Sequence, residues 1–188
     1  MNDRMPPLAA EVLSEEQQLA AAELAAGPRG GVRGPFIALL RSPELMRRLQ
    51  KVGEYLRYQS ALERRLAEFA MLIVARRLTQ QFEWRVHYPL ALEAGLAKDT
   101  ADALARGSRP RAMREDEAAV YDFCSELLQL HGVAEDTYRE AVARLGERGA
   151  VDLVGLVGYF TTVSLIMNVA HTPAGPHSGV VPLEPFPA

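Results

Sequence analysis

Residues 60–87 read SALERRLAEFAMLIVARRLTQQFEWRVH, and this stretch decides the fold. From Phe69 to Ala75 every side chain is apolar. A helix over that run has no face for water and belongs at the centre of the molecule. Ser60 and Glu63 have the spacing of a capping box and predict its start. A joint near Thr79 to Gln81 leads into a second helix, Phe82 to Ala94, closed by Gly95, with Pro89 expected to kink it. Helices joined by so few residues pack antiparallel, which makes a central hairpin. Three polar residues stand inside it. Glu83 and His87, four apart, share one helix face. Glu68 follows Arg64 and Arg65 and precedes Met71, Leu72 and Ala75, so its carboxyl group points partly into apolar surroundings and needs a partner. Arg65 or Arg76 would give it a purely structural role. An imidazole at the same end of the hairpin would instead make a proton relay of Glu68, Glu83 and His87.

Outward from the hairpin, helix signals succeed one another and leave little room for strands. Ser14 and Gln17 form a second capping box for a helix running to about Ala26. Gly27-Pro28-Arg29-Gly30-Gly31 breaks that helix, and Gly34-Pro35 opens a turn or two over Phe36 to Leu40. Ser42-Pro43-Glu44 supplies an N-cap, a proline whose missing N–H is harmless and an acid at the positive helix end, for a helix to Tyr58. Lys98 to Arg106, ended by Gly107, is a short helix. Ser108 to Ala112 is a basic linker. The acidic start Glu115-Asp116-Glu117 opens a helix to about His131, closed by Gly132, and Glu135 to Leu145 is the next. Val151 to Ala170 is apolar almost throughout and is the second core helix. Its length invites a membrane-spanning reading, but Asp152 heads it, polar residues interrupt it and no basic flank comes after it. The chain therefore reads as all-α, with residues 1–13 a flexible N-terminus, 14–171 the helical domain and 172–188 an extended proline-rich tail resting on its own domain or on a neighbouring subunit.

Composition narrows the function classes. The 188 residues suffice for one domain with a real core. The 21 basic residues are spread among 24 acidic ones, for a net charge of −3, and form no stripe, so no nucleic-acid partner is expected. The single cysteine, Cys124, has no disulfide partner, and no signal-like segment opens the chain; together these suggest a cytoplasmic protein. Cys124 sits beside Phe123 and close to Leu127 and reads as inert core. No second histidine has ligand spacing relative to His87, so no metal is expected.

The spacing of the hairpin residues resembles the alkylhydroperoxidase D-like pattern. That pattern has a glutamate, eleven residues, a cysteine, two residues, a second cysteine, three residues and a histidine. Here Glu68, Gln80, Glu83 and His87 fall on those four positions. Glu83-Trp84-Arg85-Val86-His87, followed by Ala91 and Ala94-Gly95-Leu96, resembles the cysteine-less members grouped as carboxymuconolactone decarboxylase-like proteins. The resemblance covers roughly residues 34–170. It implies a compact multi-helix domain built around the hairpin and self-association as a trimer or hexamer. Without paired thiols no dithiol peroxidase cycle is available, which makes a peroxidase-type antioxidant role the weakest alternative. The last helix also departs from the decarboxylase pattern, with Val157-Gly158-Tyr159-Phe160-Thr161 in place of a Tyr-x-Gly-x-Pro stretch.

The residues and the resemblance together lead to the expectation of a cofactor-independent enzyme, decarboxylase- or lyase-like, acting by proton transfer on a small carboxylated or lactone-type substrate. His87 would be the acid/base, with Glu68 and Glu83 orienting it or sharing its proton. Arg33 in the glycine-rich loop would meet an anionic substrate, and Gln80, Trp84, Tyr159 and Asn168 are candidates to line the pocket. The plainer reading of those aromatic and amide residues is packing and internal hydrogen bonding. A non-catalytic oligomeric binding protein on the same scaffold is the alternative from another class.

Overall fold

A computed structural model describes residues 2–175 and 179–184; part of the proline-rich tail, and Met1, lie outside the described residues. Among the described residues there are eight α-helices and no strand. They are α1 (Glu15–Ala26), α2 (Pro35–Leu39), α3 (Pro43–Tyr58), α4 (Arg64–Arg77), α5 (Gln81–Glu93), α6 (Lys98–Ala105), α7 (Glu115–Leu130) and α8 (Glu135–Ala170).

The apolar run from Phe69 to Ala75 puts α4 at the centre, where every residue from Arg65 to Arg76 is buried. It packs against α5, α6, α7 and α8. Leu66, Phe69, Leu72, Val74, Leu153, Leu156, Phe160 and Val163 share one apolar cluster. Each such side chain contributes roughly 1.5–3 kcal/mol on burial, so the α4–α8 contact is a principal source of stability. Three charged residues of α4, Arg65, Glu68 and Arg76, are buried and need partners. Arg65 lies 2.6 Å from Glu117 and 2.6 Å from Asp116, tying α4 to the start of α7.

A smaller cluster, with Leu24, Phe36, Leu39 and Met46, joins α1 and α2 to α3. The Ser14 capping box forms in full, the serine oxygen accepting from the Gln17 N–H and the Gln17 side chain accepting from the Ser14 N–H. The Ser60 box does not. Asp152 takes the N–H of Ala61 at 2.8 Å, the Ser60 hydroxyl donates to the carbonyl of Leu56, and the helix starts later, at Arg64. Ser42 likewise makes no side-chain cap, although Pro43 occupies the first turn. At the end of α7 the left-handed residue is His131, one position before the expected Gly132. Helix α5 continues through Pro89.

The two expected C-terminal helices are both present within α8 and are separated by a kink at Gly146, whose backbone (φ 71°, ψ 167°) is not helical and turns the chain before the apolar half begins. Helix α8 is long and apolar enough to cross a membrane by length and composition, and just over half (56%) of its most apolar window is buried inside the protein. The start of the N-terminal segment contacts the domain. The N–H of Arg4 donates to the carbonyl of Ala170 at 2.8 Å, and Arg41 donates to the carbonyl of Pro6.

The tail, where described, lies on this chain's own hairpin. Leu183 is buried in the main cluster. The Gln81 side chain donates to the Leu183 carbonyl at 2.7 Å and accepts the Leu183 N–H at 3.0 Å, as a neighbouring strand would. Arg76 donates to the carbonyl of Glu184.

Candidate functional site

The hairpin joint sets the site. Thr79 takes a left-handed conformation (φ 47°) and reverses the chain between α4 and α5. Gln80 then caps α5, its side-chain oxygen accepting from the N–H groups of Phe82 and Glu83. Its amide nitrogen donates to Asn168 at 2.9 Å, and Asn168 donates to the carbonyl of Leu78, so the joint is fastened to α8. Glu83 therefore stands in the first turn of α5, where the helix dipole favours negative charge.

The expected convergence of Glu68, Glu83 and His87 is present. The Nδ1 atom of His87 lies 2.6 Å from a Glu68 oxygen and its Nε2 atom 3.1 Å from a Glu83 oxygen. All three side chains are buried. Phe160 from α8 meets the imidazole edge-on, with ring centroids 5.2 Å apart, and fixes the plane of the ring. Burial on its own pushes the imidazole pKa down. The hydrogen bonds and charges of the two carboxyl groups outweigh it, and the net result lies above the ordinary histidine value. The two carboxyl groups thus favour the protonated ring relative to a free imidazole, and in that form it donates one N–H to each neighbour. Glu68 is partnered by His87, and the alternative partner Arg65 is engaged on α7 instead.

Glu83 and His87 open onto a cavity of about 330 Å³ that Glu68 does not line, so Glu68 stands behind the imidazole. The cavity is walled by the glycine-rich loop after α1, the end of α3, the start of α5 and the middle of α8. Arg33 and Tyr159 line it, as expected from sequence. Arg29 and Arg57 line it too, and sequence reasoning passed over both: one lies in an irregular loop and the other in the last turn of a surface helix, where no periodicity marks a site. The only available signal was the density of arginines flanking glycines in 29–33.

Three expected pocket residues are elsewhere. Gln80 and Asn168 are spent on the cap and the α8 fastening, and the Trp84 indole donates to the carbonyl of Val181, holding the tail. None of the three lines the cavity. Cys124 is fully buried, and desolvation raises its thiol pKa far above the usual range, so it carries no thiolate chemistry. Both nitrogens of His87 face carboxyl oxygens, leaving no free ring atom to ligate a cation. Among the described residues no other cluster offers a metal site.

An all-helical domain whose central hairpin brings a glutamate, a second glutamate and a histidine into one hydrogen-bonded row is of the alkylhydroperoxidase D-like class. The sequence profile of the carboxymuconolactone decarboxylase family matches residues 43–136, half of the chain and the part that contains the whole row, and the chain belongs to that family. Comparison with curated proteins returns no match.

Proposed function

We propose that this protein is a cofactor-independent enzyme that moves a proton to or from a small carboxylated or lactone-type molecule held in the cavity. The observation that carries the reading is the buried row Glu68–His87–Glu83, which ends on a cavity wall beside arginines. A buried imidazole between two carboxyl groups is a costly arrangement unless it is used or tightly compensated. Here it points at a space large enough for a small ligand.

The chemistry comes from the order of the groups. In a decarboxylation the C–CO₂ bond breaks, its electron pair stays on carbon as an enolate, and that carbon needs a proton. The proton on Nε2 of His87 is shared with Glu83 at the cavity wall and passes from there to the substrate carbon. Glu68, bonded to Nδ1, holds the ring's orientation and stabilises its charge while the second proton stays in place. The same groups run in reverse would abstract a proton next to a carbonyl, which serves isomerisation or lactone opening. Positive charge from the arginines stabilises the enolate oxygen or the substrate carboxylate.

The test is a panel of small lactone acids and keto acids, monitored by CO₂ release and ultraviolet change, with wild type beside His87→Gln and Glu83→Gln. Turnover on at least one substrate that drops by about 10²–10⁴ in both variants is the expected result. Turnover that survives His87→Gln overturns the relay. Self-association belongs to the same proposal, and sedimentation equilibrium should give a multiple of the 20.7 kDa chain mass.

A further inference from the structure

Three arginines face the cavity, and their surroundings differ. Arg33 is exposed, as expected of a solvated loop residue. Arg29 is half-buried, stacks 4.7 Å over the Phe36 ring and donates to the Tyr159 hydroxyl at 3.3 Å. Arg57 is half-buried and lies 5.2 Å over the Tyr58 ring. The Nε atoms of both Arg29 and Arg57 are buried and have no hydrogen-bond partner among the described residues. Neither guanidinium forms an ion pair there, in a chain where Arg47 and the buried Arg65 do. Two guanidinium groups withdrawn from water, stacked on aromatic faces and left with unused donors form a receptor for an anion.

The fold makes room for this arrangement at one glycine. A methyl group placed on Gly53 of α3 would lie 2.2 Å from the Tyr159 hydroxyl and 2.6 Å from an Arg29 guanidinium nitrogen. Any other residue at 53 would push both out of place. Burial raises the pKa of the Tyr159 phenol, and Tyr159 lines the same cavity as Arg29, Arg57 and Glu83.

We propose that Arg29, Arg57 and Tyr159, seated in the notch at Gly53, form the carboxylate-anchoring subsite and orient the substrate so that its reacting carbon faces Glu83. Arg29 and Arg57 offer forked N–H donors to the carboxylate, and the Tyr159 hydroxyl donates a further hydrogen bond. They are specificity-determining residues: a neutral lactone of the same size has nothing to satisfy the buried donors and is rejected. The inference rests on the cavity being the substrate site, as proposed above.

The experiment reads binding, which separates it from catalysis. Protein labelled with ¹⁵N-arginine is titrated with glutarate, and separately with γ-butyrolactone, at constant ionic strength. The Arg29 and Arg57 Nε–H resonances are assigned from Arg29→Lys and Arg57→Lys variants. Glutarate is expected to shift both resonances saturably and γ-butyrolactone to leave them in place. Arg29→Lys keeps the charge, loses the fork, and should weaken glutarate by at least about tenfold. Gly53→Ala, with its helical circular dichroism intact, should do the same by displacing the donors without replacing any of them. The clamp is overturned if neither resonance moves, or if Arg29→Lys and Gly53→Ala bind glutarate as the wild type does. Failure of the relay shows instead as turnover surviving His87→Gln with glutarate binding unchanged.

Discussion

Gly53→Ala and Gly158→Ala make the same chemical change in two helix interiors, and the structure assigns them opposite signs. Replacing a mid-helix glycine by alanine is worth about 0.5–1 kcal/mol through backbone entropy and helix propensity. At Gly158 on α8 nothing lies within 4 Å of the new methyl, so that gain stands alone. At Gly53 the methyl would meet the Tyr159 hydroxyl and ring carbon at 2.2 and 2.3 Å. The far end of Arg29 can swing away cheaply, but the phenol cannot, because its ring is buried and packed edge-on against Phe160 at 5.4 Å. Overpacking of that kind costs about 1–3 kcal/mol and outweighs the propensity gain. The net for Gly53→Ala is a loss of about 0.5–2 kcal/mol. In a chain of this size that corresponds to a Tm about 1–8 °C lower, against a rise of about 1–4 °C for Gly158→Ala. Urea unfolding monitored by circular dichroism measures both, with unchanged m-values confirming that the native state is compared. A Gly53→Ala protein at least as stable as wild type would refute the notch.

The remaining predictions concern the relay and the tail. Because the folded pKa of His87 lies above its unfolded value, its contribution to stability is fully present below about pH 6.5 and is lost as pH rises through the folded value. Unfolding free energy measured from pH 6 upward should fall more steeply in wild type than in His87→Gln, and parallel curves would show that the carboxyl groups do not favour the protonated ring. Glu68→Gln removes a charge-assisted hydrogen bond buried behind the ring and should cost about 1.5–3 kcal/mol in urea unfolding. A loss under about 0.5 kcal/mol would mean that the contact contributes little. Trp84 is the single tryptophan and is buried under the tail, so Leu183→Ser should release the tail and shift its fluorescence to the red. Unchanged emission would show that the tail does not cover the indole.

How far the sequence discloses this molecule depends on which forces act locally. The hairpin was legible because its signals are periodic: an apolar run too complete for a surface helix, and a glutamate and histidine four apart on the helix after it. Ser14 caps as expected because its partner is three residues away. Ser60 does not: its hydroxyl donates to the Leu56 carbonyl, and Asp152 takes the N–H of Ala61, 91 positions away, a contact that no local pattern reveals. Gln80 and Asn168 look like pocket residues by type and by register. Each is half of a contact spanning 88 positions, and that contact consumes the donors a ligand would need. Arg29 and Arg57 escaped notice for the converse reason, since loop and helix-end arginines are usually solvated and only the tertiary fold withdraws these two from water.

The register of Glu68, Gln80, Glu83 and His87 explains why losing the thiols need not empty the site. In the thiol pattern that this spacing resembles, positions 80 and 83 carry cysteines. Gln80 turns the first of these positions into a helix cap that fastens the joint to α8, which fixes where α5 begins and how it is aimed. Glu83 turns the second into a carboxyl group at the cavity wall, in hydrogen-bond contact with the same imidazole. A thiol at that position exchanges electrons as well as protons; a carboxyl group exchanges protons alone. Under the proposed relay, this keeps a hydrogen-bonded row from Glu68 through His87 to the cavity with no redox partner at its end. That is the physical ground for expecting acid/base chemistry on a carboxylated ligand, and for expecting Glu83→Cys to rebuild a reactive thiol that Cys124, sealed in the core, cannot supply.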